Sequence, residues 1–337
     1  KKAKTENGAQ KTKAADTTAA QGSRTIFVKN LPWSADEAML NDFFSYIRMP
    51  IFFAVSGFLA RDVIKKSFHE LFDRRLIQLI YVFLLWSFIA LLLDSSFASS
   101  PVSIVSDITT VFFQPSSVLW FLWALIIYMA IAKIGRATSP ALFLTLSIAI
   151  AVASYARVFH FELYVYNNVF RFLPFFLIGA YRSQWLLRIP SKFTAAAIIP
   201  VVILFAAGFL VLRRDLLPPA FDNGGRFAMA SLGVLVGALV SVWACRWQQI
   251  KLIPLYLGRH TLPIYVAHSL LVGPLAAGIA RIAPESVGVE IWAVPVIAVA
   301  ATATSLLIKF AADRAGFGWL YRRPDWLQFR AVPVPST

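Results

Sequence analysis

Nine apolar blocks, each near the length a helix needs to cross a lipid hydrocarbon layer, restrict the fold of this chain before any motif is considered. A layer of ~30 Å takes about 20 residues of helix, and the lack of water inside it forces backbone N–H and C=O groups to pair within the protein. On that ruler spans are expected near 44–60, 76–94, 117–134, 141–157, 168–182, 193–212, 226–245, 261–281 and 290–310. The hydrophobic share is 58%, above the roughly 45–50% of soluble domains. The expected fold class is an all-α polytopic membrane protein of about nine transmembrane helices, with membrane lipid as its first partner. Between the first two spans, Arg61 to Arg75 (RDVIKKSFHELFDRR) sets Val63, Ile64, Phe68, Leu71 and Phe72 at helical spacing among charges. That pattern predicts a helix lying flat at the membrane interface.

The net charge of +15 has the same origin. Sorted over alternate connections, Lys and Arg divide eighteen to six, the poorer side holding Arg157, Arg171, Arg213, Arg214, Arg226 and Arg281. The positive-inside rule makes the richer side cytoplasmic, with the C-terminus inside, the N-terminus outside, and Trp319, Tyr321 and Trp326 as interfacial anchors. Charge distributed in this way reports orientation, not a nucleic-acid surface. A single cysteine, Cys245, offers neither a disulfide framework nor a cysteine metal site, and the sequence holds no metal-ligand cluster. His69-Glu70-Leu71-Phe72-Asp73 has the H-x-x-x-D spacing of some soluble acyltransferases but falls in the interfacial segment. Gly233-Val234-Leu235-Val236-Gly237 predicts a close helix crossing.

The N-terminus reads differently. Residues 1–22 form a Lys, Ala, Thr and Gln tract expected to be a disordered basic tail. Ser23 to Phe44 (SRTIFVKNLPWSADEAMLNDFF) has a short β-rich run, a turn at Asn30-Leu31-Pro32, and Ser34 with Glu37 as a capping box. Ile26 to Leu31 resembles the RNP2 strand of a nucleolin-like RNA-recognition motif, and the helix after it resembles that fold's first helix. The RNP1 pattern is missing, so no base-stacking sheet and no functional nucleic-acid binding are expected. The reading is a partial β-α fragment at 23–45, fused near Phe43 to Ile47 to a membrane domain over 46–312, with a cytoplasmic tail at 313–337.

Met49 to Leu59 (MPIFFAVSGFL) places Pro50, Ser56 and Gly57 in one apolar run. Asp73-Arg74-Arg75 leading into Leu76 to Ser87, then LWFLWALIIY from Leu119, FRFLPFFLIGAY from Phe170 and LGRHTLPIYVAH from Leu257 follow in order. Together the five stretches resemble the membrane acyltransferase-3 family. The resemblance implies a core of ten helices, here lacking its first, in the inner membrane of a bacterium. It also implies an acyl-CoA donor, acetyl-CoA in the simplest case, a hydroxyl of an envelope saccharide as acceptor, and no bound cofactor or metal. The family's usual catalytic base is a histidine of the first helix. His69, His160 and His260 do not fit that role, so weakened activity is expected.

His268, which closes the IYVAH stretch, is the candidate catalytic residue that remains. It lies about seven residues into its span, roughly 10 Å along the helix axis, and an intramembrane ionisable group is a functional candidate by default. The alternative is a neutral histidine hydrogen-bonded to a neighbouring helix. Lys65, Lys66, Arg74 and Arg75 are candidates for the CoA phosphates, because guanidinium forks pair with phosphate bidentately. The family's Arg-x-x-Arg reads Arg75-Leu76-Ile77-Gln78 here, so its second arginine is missing. Arg48, Ser56, Trp120, Trp123, Arg171 and Tyr265 are candidate substrate contacts, against snorkelling for the arginines, packing for Ser56 and an aromatic belt for the tryptophans. A transporter or flippase-like bundle is the main rival reading, although the hydropathy shows no paired half-repeats.

Overall fold

The structure, a computed structural model, describes residues 35–93, 119–192, 197–214, 216, 218–282 and 289–327. The expected tail at 1–22 and the RNP2-like strand lie outside these residues. Among the described residues the chain is helical, with no strand. Each of the nine expected spans coincides with one helix: α1 (Ala35–Lys65), α3 (Ile77–Leu93), α4 (Trp120–Ala137), α5 (Pro140–Tyr155), α6 (Tyr164–Tyr181), α8 (Ile198–Arg213), α9 (Pro219–Ala244), α11 (Thr261–Ile282) and α12 (Val289–Arg314). Short or amphipathic helices α2 (Phe68–Leu71), α7 (Ser183–Lys192) and α10 (Gln248–Arg259) connect them.

Six segments are long and apolar enough to cross a membrane among the described residues, counting Phe68–Leu93 as one. α5 and α8 are shorter apolar helices, and α6 is made more polar by Asn167, Asn168 and Arg171. The architecture is that of an all-α polytopic membrane protein.

Two expected boundaries move. Helix α1 runs unbroken for 31 residues from Ala35 to Lys65, so the stretch expected as the first helix of an RNA-recognition motif is continuous with the first span. The expected flat helix over 61–75 is divided instead. Arg61 to Lys65 complete α1, and Ser67 starts α2 as its N-cap, its hydroxyl accepting from the Glu70 N–H at 3.2 Å. Phe72–Leu76 then forms a π-helical turn into α3. A capping serine that competes for backbone donors breaks a helix where periodicity alone would continue it.

Helix α1 is the hub, packing along α6 and also against α4 and α9. A Cβ at Gly57 would overlap the Phe176 carbonyl, and one at Gly179 would overlap the Ala54 carbonyl, so the two backbones touch. Gly233 meets the Tyr46 carbonyl and Gly237 the Ile51 side chain, which places the expected G-x-x-x-G crossing between α9 and α1. The tight contact on α6 organises the main core. Phe53, fully buried, has ring neighbours Trp120 at 5.9 Å, Phe121 at 4.6 Å, Tyr128 at 5.0 Å and Phe172 at 5.6 Å. Phe53 lies midway along the span Asp42–Lys65. Helix α4 therefore begins level with the middle of α1.

A second core joins α3, α4, α11 and α12 to the segment after α12. Residues 313–327, set apart in the sequence as part of a tail, are bound back onto α3. Helix α12 ends in a Schellman turn, with Phe317 N–H donating to the Ala312 carbonyl at 2.7 Å and Gly316 at φ 79°. The Tyr81 hydroxyl donates to the Trp319 carbonyl at 2.9 Å and the Trp86 indole to the Leu320 carbonyl at 2.8 Å. Gln78 donates to the Tyr321 carbonyl at 2.9 Å and accepts from the Arg323 N–H at 3.0 Å, while Arg323 pairs with Asp73 at 2.8 Å. Tyr321 is 4% exposed against Trp86, in place of the interfacial position expected for it, and burial pushes its hydroxyl up to about 12. Trp326, at 80%, remains outside.

Gln78, at the position where the resemblance implies a second arginine, clasps backbone instead. Gln78→Ala strips two part-buried backbone groups of their partner and is expected to cost about 1–3 kcal/mol. Lower thermal stability with faster proteolysis after Arg322 or Arg323 is the expected result; an unchanged cleavage rate argues that the segment is held by other contacts.

Candidate functional site

Helix α11 positions Tyr265 and His268 on one face, three residues apart, with ring centroids 5.6 Å from each other. Tyr265 reaches α4: its ring lies 5.5 Å from that of Phe121, and its hydroxyl is hydrogen-bonded to the Phe121 backbone. The first turn of any helix has N–H groups without intrahelical partners, and α4 has no side-chain cap of its own at Leu119. Tyr265 supplies one from the neighbouring helix. The pair is thereby fixed at mid-bundle, where a helix N-terminus opens.

His268 is half-buried, and its Nδ1 lies 3.0 Å from the Ile264 carbonyl one turn earlier. A carbonyl only accepts, so Nδ1 must carry the proton. The Nε2 of the neutral ring then holds the lone pair. This is a hydrogen bond within α11, unlike the interhelical bond that a purely packing histidine was expected to make. The geometry suits an imidazole that takes up a proton at Nε2 while Nδ1 keeps it oriented.

At the end of the bundle rich in Lys and Arg, the π-helical turn presents Arg74 and Arg75, both exposed. Such wide turns recur at functional sites. Glu70 receives Lys66 at 2.7 Å and Arg74 at 3.0 Å, and Asp62 receives Lys65 at 3.2 Å. Arg75 makes no ion pair among the described residues. Lys133 crosses from α4 to donate to the Ile64 carbonyl at 3.1 Å and to the Lys66 carbonyl, closing the C-terminal end of α1.

The remaining candidates are dispersed. Trp120 is 8% exposed, packed between Phe53 and Phe172, which removes it from an interfacial belt. Trp123 is half-buried, 5.8 Å from the Tyr166 ring. Ser56 is half-buried on α1, and Arg48 is exposed. Arg171 sits apart, with Tyr155 of α5. The charge pattern did not point to Gln78, Tyr46, Tyr155 or Asp222, although Asp222 and Arg226 stand four apart, the helical spacing of an ion pair, and do pair at 2.8 Å. Among the described residues no group of His, Cys, Asp and Glu could hold a metal ion.

A family model described as "Acyltransferase domain", of the acyltransferase-3 type, matches residues 17–312. The match takes in residues 23–44, and nothing supports the resemblance of that stretch to an RNA-recognition motif. No curated protein and no solved structure matches the chain significantly. A match over most of the chain, on a bundle of apolar helices, decides the family: the chain belongs to the membrane acyltransferase-3 family.

Proposed function

We propose that the chain is a membrane-bound O-acyltransferase that moves an acetyl or other small acyl group from acyl-CoA to a hydroxyl of an envelope saccharide or similar acceptor. The observation that supports this reading is the His268 Nδ1, 3.0 Å from the Ile264 carbonyl, a contact that orients the ring and leaves Nε2 as the atom to act as base. In the reaction the acceptor oxygen attacks the thioester carbonyl, Nε2 takes the hydroxyl proton, and the C–S bond breaks. The imidazolium then returns the proton to the departing thiolate. A positioned imidazole contributes about 10²–10⁴-fold to such a step.

In this reading the end rich in Lys and Arg faces the cytoplasm of a bacterial inner membrane, as does the C-terminal segment, so acyl-CoA meets Arg75 first. Lys65, Lys66 and Arg74 lend positive field while engaged with Asp62 and Glu70. Of the four histidines, His268 is the one set well inside an apolar helix.

Purified protein in lipid nanodiscs, given radiolabelled acetyl-CoA and an envelope saccharide extract, should yield labelled saccharide. Arg75→Ala is expected to raise the KM for acetyl-CoA about tenfold, the loss of one charge-assisted contact. Acetyl-pantetheine, which lacks the nucleotide phosphates, should be unaffected. Equal losses with both donors would take Arg75 out of phosphate binding, and no transfer to any hydroxyl would remove the reading itself.

A further inference from the structure

At the end of the bundle opposite the Arg74–Arg75 turn, α1, α5, α6 and α9 bring together a polar cluster that the acyl-transfer reading does not use. Arg171 donates weakly to the Ser154 carbonyl at 3.5 Å, and its guanidinium carbon lies 4.9 Å from the centre of the Tyr155 ring. Its Nε is buried with no hydrogen-bond partner, and no carboxylate lies within ion-pair distance of it among the described residues. Arg226 donates to Asp222 Oδ2 at 2.8 Å and to the Tyr46 hydroxyl at 3.4 Å. Asp222 Oδ1 is buried and also without a partner.

The charges do not balance. Asp222 is committed to Arg226, so among the described residues Arg171 is a half-buried cation with no counter-charge. Arg157, in a left-handed turn at φ 53°, adds a further positive charge close enough to act on it. An uncompensated guanidinium inside a bundle is costly. Its Nε edge is half of the fork that takes a carboxylate or phosphate bidentately.

We propose that Arg171, with Tyr46, Tyr155, Arg226 and Asp222, forms a receiving site for an anionic oxygen group, a carboxylate or phosphate monoester, presented from the end opposite the Arg74–Arg75 turn. The anion pairs with Arg171, and Asp222 Oδ1 accepts from a hydroxyl of the same ligand. The inference stands without acyl transfer, because its residues lie on helices other than the one that carries His268.

The test uses the full chain in zwitterionic phosphatidylcholine nanodiscs, titrated calorimetrically with glucuronate, glucose 6-phosphate and glucose. At least one of the two anions should bind tenfold or more tightly than glucose. Arg171→Met should abolish that preference, Arg171→Lys should keep part of it, and Arg213→Met, which removes an exposed charge, should leave it intact. A second arm adds phosphatidic acid, the lipid that carries a phosphate monoester, and follows lipid retention by native mass spectrometry. Retention by the parent and loss from Arg171→Met, with no sugar anion bound, identifies a lipid headgroup as the occupant and sustains the proposal. Equal binding of all three sugars with no lipid retention overturns it, as does an Arg171→Met variant that behaves like the parent. Should Arg171→Met not fold, the parent's discrimination between anion and glucose, or its lipid retention, decides alone.

Discussion

Replacing His268 by asparagine is expected to lower acyl transfer about 10²–10⁴-fold while leaving the fold intact. Asparagine is the informative choice, because its side-chain amide can donate to the Ile264 carbonyl as Nδ1 does now, yet it offers no basic lone pair. What is removed is the proton acceptor and little else. The loss should fall on kcat, since the base acts only once the acceptor is in place. Thermal stability should remain near that of the parent. A variant within threefold of the parent would remove His268 from the reaction and leave it as an oriented packing group. Tyr265→Phe provides the companion measurement. It keeps the ring contact with Phe121 but takes the cap from the first turn of α4, so it should disturb both stability and rate.

The bundle was legible because lipid leaves a chain few options. Apolar blocks of fixed length become helices, and each of the nine expected spans coincides with one helix, although α1 and α9 begin nine and seven residues before the expected starts. Depth was not legible. The span at 117–134 read as an ordinary crossing, whereas α4 starts level with Phe53, and hydropathy carries no information about how far one helix slides along another. The aromatic-belt alternative for Trp120 fails for that reason: a tryptophan at the end of a span looks interfacial unless the span begins in the middle of the bundle. Gln78 looked like a missing arginine, and its present role depends on backbone groups 243 and 245 residues away, a separation at which sequence pattern is silent. The His268–Tyr265 spacing was visible, but the hydrogen bond that settles the imidazole tautomer was not. That Arg171 meets no carboxylate among the described residues was equally hidden, because it depends on where side chains lie in space.

The largest loss of stability is expected at Gly57 and Gly179. Each presents bare backbone to the other's helix, and the added Cβ meets a carbonyl oxygen, which cannot swing aside as the tip of a side chain would. Gly57→Ala and Gly179→Ala must therefore separate α1 from α6, at about 1–3 kcal/mol each or more. Both substitutions open the same crossing. Once the helices have parted for the first Cβ, the second finds room, so the double variant should cost clearly less than the sum. Gly278→Ala supplies the contrast, since nothing lies within 4 Å of its added Cβ; there the lost backbone entropy of glycine favours alanine by about 0.5–1 kcal/mol. Unfolding in detergent, followed by temperature, distinguishes these cases. Equal effects at Gly57 and Gly278 would mean that α1 and α6 do not touch in the working protein. The same separation displaces Phe53 from Phe172 and Trp120, and with them the start of α4 on which Tyr265 rests. Activity should therefore fall together with stability, although neither glycine approaches the imidazole.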